Sequence, residues 1–159
     1  MILVVMGVSG SGKSTIGERL ASRLGWTFLD ADEYHPPENV AKMAAGTPLT
    51  DEERWPWLQK LNLLLRNEKN AVLACSALKQ AYRRRLTDGI SDCRIVHLRG
   101  GIELIRSRMK LRQHRYMPAS LLESQFATLE PPVQAIEIDV AATPEECVAA
   151  ILLELRPSE

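Results

Sequence analysis

A chain of 159 residues holds one well-packed domain and is short for two. Twenty basic residues balance twenty acidic ones and the pI is near 6.8, so no global field draws nucleic acid or an anionic membrane, and any anion site is local. No run approaches the ~18 apolar residues that cross a bilayer, the opening MILVVMGVSG has no basic n-region, and Cys75, Cys93 and Cys147 lack CxxC spacing, so a soluble, unprocessed protein of the reducing cytoplasm is expected.

The first apolar run, Ile2 to Met6, is rich in Val and Ile and too short for an independent helix, which predicts a strand. It feeds GVSGSGKST, a match to G-x-x-x-x-G-K-[ST] from Gly7 to Ser14, after which Ile16, Leu20 and Leu24 recur as one face of a helix. Strand, spacing and helix together make Gly7, Val8, Ser9, Gly10, Ser11, Gly12, Lys13, Ser14 and Thr15 a phosphate cradle. Gly10 and Gly12 let backbone amides curl around an anion, the helix N-terminus adds a positive dipole end, Lys13 neutralises terminal phosphates, and Ser14 is placed to ligate Mg²⁺. The alternative, a flexible Gly/Ser turn with a solvated lysine, leaves the flanking elements unexplained.

The second predicted strand, Thr27 to Leu29, runs into LDADEYHPP, which packs three carboxylates, a tyrosine and a histidine into Asp30 to His35. Alternate residues of an extended segment point the same way, so Asp30 and Asp32 are expected to face one crevice. Such a pair holds Mg²⁺ through water and accepts the proton of an attacking hydroxyl. The competing reading is a solvated acidic loop that caps a helix starting near Pro37. Further on, Thr50 and Glu53 form a capping box. Trp55 and Trp57 sit in the helix it opens and are expected to pack rather than to serve as sugar platforms.

The third predicted strand, Ala71 to Cys75, lies in AVLACSA and carries no terminal carboxylate where many nucleotide hydrolases place one. NEKN at Asn67 to Asn70 is not the guanine-reading NKxD. Strands are also predicted at Arg94 to Leu98 and Ala135 to Ile138, and a last helix is marked by Thr143, Pro144 and Glu146 and by the stripe Val148, Ile151, Leu152 and Leu155. Five strands separated by helices imply an α/β fold, a parallel sheet with helices on both faces, and a ligand site beyond the carboxyl ends of the strands.

The blocks GVSGSGKST, DADEYHPPENVAKMAAGTPLTDEERWPWL, CSALKQAYR and SLLESQFATLEPP together run over most of the chain. In them the chain resembles the small P-loop gluconokinases, relatives of shikimate kinase and the nucleoside monophosphate kinases. That resemblance implies one P-loop kinase domain over residues 1–159 with a helical lid near 106–120. It implies ATP and Mg²⁺ as cofactors, D-gluconate as the small-molecule substrate phosphorylated on its C6 hydroxyl, and a homodimer. The residue chemistry agrees. A polyol acid needs cations and hydrogen-bonding groups, which His35, Arg54, Lys79, Tyr82 and Arg83 supply. Against this, Arg54 has the spacing of an i, i+3 pair with Asp51, Arg83 sits in a basic run with Arg84 and Arg85, and His35 is placed to cap the helix after it.

Asp30 and Ser14 are the expected metal ligands, with Asp32 the group that orients or deprotonates the acceptor hydroxyl. The segment RSRMKLRQHRYMP concentrates Arg106, Arg108, Lys110, Arg112 and Arg115. Arg108 and Arg112 share a helix face at i, i+4 and are taken as the lid pair that meets developing charge. The family pattern RxGHFM reads RQHRYM here, so His114 stands at the hinge glycine and Arg115 at the histidine. Arg115 is either a third phosphate contact or an exposed charge. Two other readings stay open: a kinase of this fold for another small acceptor such as shikimate, and a nucleotide-binding regulatory module without an acceptor.

Overall fold

The computed structural model describes residues 1–111 and 121–156. Five strands, β1 (Ile2–Met6), β2 (Thr27–Asp30), β3 (Ala71–Ala74), β4 (Cys93–Arg99) and β5 (Ile136–Asp139), form one parallel sheet in the order β2-β3-β1-β4-β5. Each predicted strand is present with its ends within one residue of expectation. The central strand is buried along its whole length, with Leu3, Val4, Val5 and Met6 at 0% exposure. A fully buried side chain of this kind contributes about 1.5–3 kcal/mol, which explains why the sheet is built outward from β1.

Alternating residues of the sheet feed two cores. On one face Ile2, Val4, Met6 and Leu73 pack against Trp57, Leu58 and Leu61 of α3 (Asp51–Arg66) and Tyr82 and Leu86 of α4 (Gln80–Thr87). On the other, Leu3, Val5, Val72 and Val96 meet Ile16 and Leu20 of α1 (Lys13–Leu24) and Val148 and Ile151 of α7 (Pro144–Glu154). Both predicted capping boxes are made: Thr50 Oγ1 accepts from Glu53 N while Glu53 accepts from Thr50 N, and Thr143 and Glu146 do the same. Losing either threonine costs roughly 0.5–2 kcal/mol.

Three shorter helices complete the carboxyl edge: α2 (Pro37–Ala44), α5 (Ile102–Leu111) and α6 (Leu121–Thr128). Val8, Leu78, Ile105, Met109 and Leu122 fasten α5 and α6 to the loop after β1, while Met43, Leu49 and Leu121 fasten α6 to α2. Arg106, counted among the basic residues of the lid segment, pairs with Glu103 and Glu123 and ties α5 to α6. Arg112, His114 and Arg115 lie outside the described residues. No helix among the described residues is long and apolar enough to cross a membrane.

Candidate active site

The register of the sheet brings the chemistry together. Val5 pairs with Ala74 and Ala74 with Asp30, so β1, β3 and β2 end level and their following residues share one crevice. The loop after β1 then turns under α5. Gly10 has φ +82, and a Cβ there would fall 2.7 Å from Met109 Cγ and 3.1 Å from Ile105 Cγ2. A Cβ at Gly7 would fall 2.6 Å from Ser11 Oγ and 3.0 Å from the Leu98 carbonyl. Both positions therefore admit only glycine without displacement of a neighbour. Gly12 is the left-handed N-cap of α1 and offers no side-chain cap, so the amides of the first helical turn are directed at the loop.

Lys13 opens α1 and donates to the Val8 carbonyl at 3.1 Å. Burial pulls its ammonium below the ordinary lysine range, opposed by the charges of Asp32 and Asp30. Ser14 Oγ donates to Asp30 Oδ2 at 2.8 Å. The two residues expected to hold Mg²⁺ are thus in direct contact, and both offer hard oxygens. Magnesium takes one or two such protein ligands and fills its octahedron with phosphate and water, so the donor set fits.

Asp32 is not on an extended segment as expected. Asp30 Oδ1 accepts from Asp32 N at 3.1 Å and caps a 3₁₀ turn over Ala31–Tyr34. A short acidic side chain at a strand end competes for its own backbone, and the turn wins over continued extension. Both carboxylates nonetheless act on the Lys13 ammonium, so they share its crevice. Asp30 is buried and so is not part of a solvated loop, while Asp32 is half-buried and Glu33 exposed. Cys75, at the end of β3, faces the same charges, and its thiol is pushed up to about 12, chiefly by burial. It stays protonated and supplies no nucleophile.

Beside the crevice opens a cleft of about 310 Å³ lined by Leu49, Asp51, Arg54, Lys79, Tyr82 and Gln125 among others. Arg54 does not pair with Asp51. Its Nη1 donates to the Leu49 carbonyl and to Tyr82 Oη, and the guanidinium lies 5.0 Å from the centre of the Tyr82 ring. Asp51 instead accepts from Tyr82 Oη and from Lys79 Nζ, the latter at 3.3 Å, and these bonds hold its carboxyl below the usual carboxylate range. The cleft therefore combines the cations Arg54 and Lys79, the carboxylates Asp51 and Glu52 and the Tyr82 hydroxyl, a set that reads hydroxyls and one acid group. A larger cleft of about 680 Å³ is lined by Val8, His97, Arg99 and Glu137, and neither cleft is lined by Lys13 or the acid pair.

Two expected substrate ligands are placed elsewhere. Arg83 is buried, and its guanidinium donates to the carbonyls of Ala77 at 2.7 Å, Leu78 at 3.1 Å and Glu130 at 2.8 Å. Neither a substrate ligand nor a solvated basic face, it clamps the loop after β3 to the segment after α6. His35 does not line the cleft. Its ring stacks on Trp57 at 3.9 Å, and Nδ1 lies 3.4 Å from Asn39 Nδ2. Burial, with the Arg54 charge adding to it, lowers its pKa to about 4, so it is a neutral ring near pH 7 and not a cation. Trp57 is buried and donates from Nε1 to the Ala31 carbonyl, a packing role as expected.

The lowered His35 pKa has a measurable consequence. Between about 6.5 and about 4 the unfolded chain takes up a proton that the folded chain refuses, so this residue makes stability fall as pH falls through that window. Denaturant melts at pH 7 and pH 5 are expected to show a smaller drop in His35→Gln than in the wild type. Equal drops would mean that His35 titrates normally.

Sequence reasoning missed the roles of Asp51 and Gln125. Gln125 Oε1 accepts from Ser9 N at 2.6 Å, across 116 residues of chain. Its only legible signal was membership of the SLLESQFATLEPP block. On the opposite side of the loop, Gly10, Gly12, Thr15, Arg108, Ala142 and Pro144 line a cleft of about 280 Å³. Arg108 is thus beside the phosphate loop, while Arg112 falls in the segment not described.

A family model described as an AAA domain matches residues 2–132. A gluconokinase of Gluconobacter oxydans (strain 621H) is 48% identical, the match covering 82% of this chain and 75% of the relative. A thermoresistant gluconokinase of Escherichia coli (strain K12) is 41% identical over 97% of this chain and 92% of its own. Among solved structures, a gluconokinase from Sinorhizobium meliloti 1021 superposes with a TM-score of 0.87 at 43% identity, covering 95% of this chain and 89% of that one. With the phosphate loop, the acid pair and the parallel sheet in the arrangement described, this chain belongs to the gluconokinase family of P-loop kinases.

Proposed function

We propose that the chain transfers the γ-phosphoryl group of ATP to the C6 hydroxyl of D-gluconate, giving 6-phospho-D-gluconate and ADP. The observation that carries this reading is the Ser14–Asp30 contact and Lys13 at a phosphate loop that meets, through the Ser9–Gln125 hydrogen bond, the wall of a cleft furnished with Arg54 and Lys79. Loop amides and Lys13 hold the phosphates, and the 280 Å³ cleft beside Thr15 and Arg108 receives the nucleoside. Arg54 and Lys79 meet the gluconate carboxylate, while Asp51 and Tyr82 accept or donate to its hydroxyls. Asp32 takes the proton of the C6 hydroxyl as that oxygen bonds to phosphorus and the bond to the ADP oxygen breaks. Ser14 and Asp30 would hold Mg²⁺, which when bound would supply positive charge to the transferring phosphates. Arg108 and Arg112, in a lid over 106–120 of a single 1–159 domain, exclude water and complete that neutralisation. The free cysteines fit the cytoplasm, and the dimer implied by the resemblance is checked by light scattering.

An ADP-release assay across sugar acids, with the product identified by NMR, tests the proposal. D-gluconate is expected to exceed D-glucose and shikimate at least tenfold in kcat/KM, roughly the worth of one charge-assisted contact. Equal use of neutral glucose would remove the carboxylate role of Arg54 and Lys79. Preference for shikimate would select the other same-fold kinase. ATP binding without acceptor-dependent ADP release would leave a regulatory module.

A further inference from the structure

We infer that Asp51 sets the charge class of the acceptor: it makes the cleft one that takes a single negative charge at the end of a polyol and disfavours two. This deepens the proposed function and rests on the reading of the 310 Å³ cleft as the acceptor site. The charged groups that line that cleft are Arg54, Lys79, Asp51 and Glu52. Asp51 accepts from Lys79 Nζ at 3.3 Å and from Tyr82 Oη, so the ammonium is offset by a carboxylate inside the cleft itself. Arg54 is placed differently. Its Nη1 donates to the Leu49 carbonyl and to Tyr82 Oη, and its Nε and Nη2 meet no hydrogen-bond partner among the described residues.

One cation is therefore matched by the protein and one is left for the ligand. A guanidinium with a free edge takes a carboxylate through two parallel bonds, and one carboxylate answers one guanidinium. A second negative charge at the same end of the ligand finds Lys79 already paired and meets two carboxylates, Asp51 and Glu52. Without Asp51 the lysine charge would be open to it. The side chains of Lys79 and Asp51 are 34% and 38% exposed, so solvent weakens the effect to about threefold per unit of ligand charge, the scale of an exposed ion pair. Asp51 also opens α3, where a carboxylate favours the helix dipole whatever lies in the cleft. Loss of affinity alone would not separate the two roles, but its dependence on ligand charge does.

Calorimetric titrations near pH 8 with three open-chain ligands test this: D-glucitol, D-gluconate and D-glucitol 1-phosphate, which share the C6 hydroxyl end and carry at C1 no charge, one charge and, on the phosphate, about two. In Asp51→Asn the amide oxygen still accepts from Tyr82 and Lys79, but the charge is gone. D-glucitol should then bind as it does to the wild type, D-gluconate about threefold tighter and the phosphate about tenfold tighter, in proportion to charge. Asp51→Glu keeps the charge and should keep the wild-type ratio of the two anions. A merely structural role would shift all three ligands alike. That result, or an unchanged anion ratio in a folded Asp51→Asn, overturns the inference. A wild type that binds no D-gluconate sinks the acceptor reading and the charge role with it. A wild type that binds D-gluconate, beside an Asp51→Asn variant that fails the charge series, removes the role of Asp51 and leaves the acceptor reading standing.

Discussion

Lys13→Ala is expected to lower kcat by about 10²–10³, the scale seen when one preorganised donor to developing charge is removed, while the chain stays folded. The ammonium stands at the head of α1, beside the loop and within the field of Asp32 and Asp30. In the proposed mechanism its role is transient charge balance, because spread charge on a transferring phosphoryl group is greater in effect than in the ground state. Folding is not expected to depend on it. Burial lowers its pKa from 10.5, so below that pH the folded chain holds the proton less readily than the unfolded chain, and the charge subtracts from stability. Alanine is also a better helix former than lysine at the first turn. Steady-state rates beside a thermal melt check both halves. A folded variant that keeps a large fraction of wild-type kcat would remove Lys13 from the mechanism.

The parts of this site that were legible in the sequence are those governed by local rules. The phosphate loop is defined by spacing and by flanking elements that read as strand and helix within a few residues of themselves. The capping boxes at Thr50 and Thr143 are likewise local, since the bonds run from residue to residue three along. Strand ends were legible because β1 and β3 are continuous apolar runs, buried on both faces as a parallel sheet requires.

What sequence could not supply were the long-range partners of polar side chains. Arg83 reads as one of three adjacent arginines, yet it is the one whose guanidinium finds the carbonyls of Ala77, Leu78 and Glu130. That arrangement depends on Ala77 adopting φ +46, a conformation no residue pattern announced. His35 looked like a cation because its charge state depends on Trp57 stacking over it and on Arg54 nearby. Asp51 looked like the i, i+3 partner of Arg54, but Lys79 and Tyr82 are brought to it by the packing of α4 on α3. In each case the decisive neighbour is more than twenty residues away or set by a loop conformation, and local spacing favours the wrong partner.

The two carboxylates at the end of β2 carry the second large effect and divide the work unequally. Asp32→Asn is expected to reduce kcat by about 10²–10⁴, the usual worth of a positioned proton acceptor, while the KM for gluconate changes little. An amide cannot take the hydroxyl proton, and that proton moves only in the transition state, so ground-state binding is spared. Asp30→Asn should act differently. An asparagine oxygen can still accept from Asp32 N and keep the 3₁₀ turn capped, which alanine could not do. What is lost is the negative charge beside Ser14 Oγ, so the Mg²⁺ concentration for half-maximal rate should rise, with much of kcat recovered at saturating metal. Magnesium titrations of both variants under saturating ATP and gluconate separate the two roles. If Asp32→Asn were rescued by excess Mg²⁺ and Asp30→Asn were not, the assignments would be exchanged: the buried, Ser14-bound carboxylate would be the proton acceptor and the one in the turn would hold the metal.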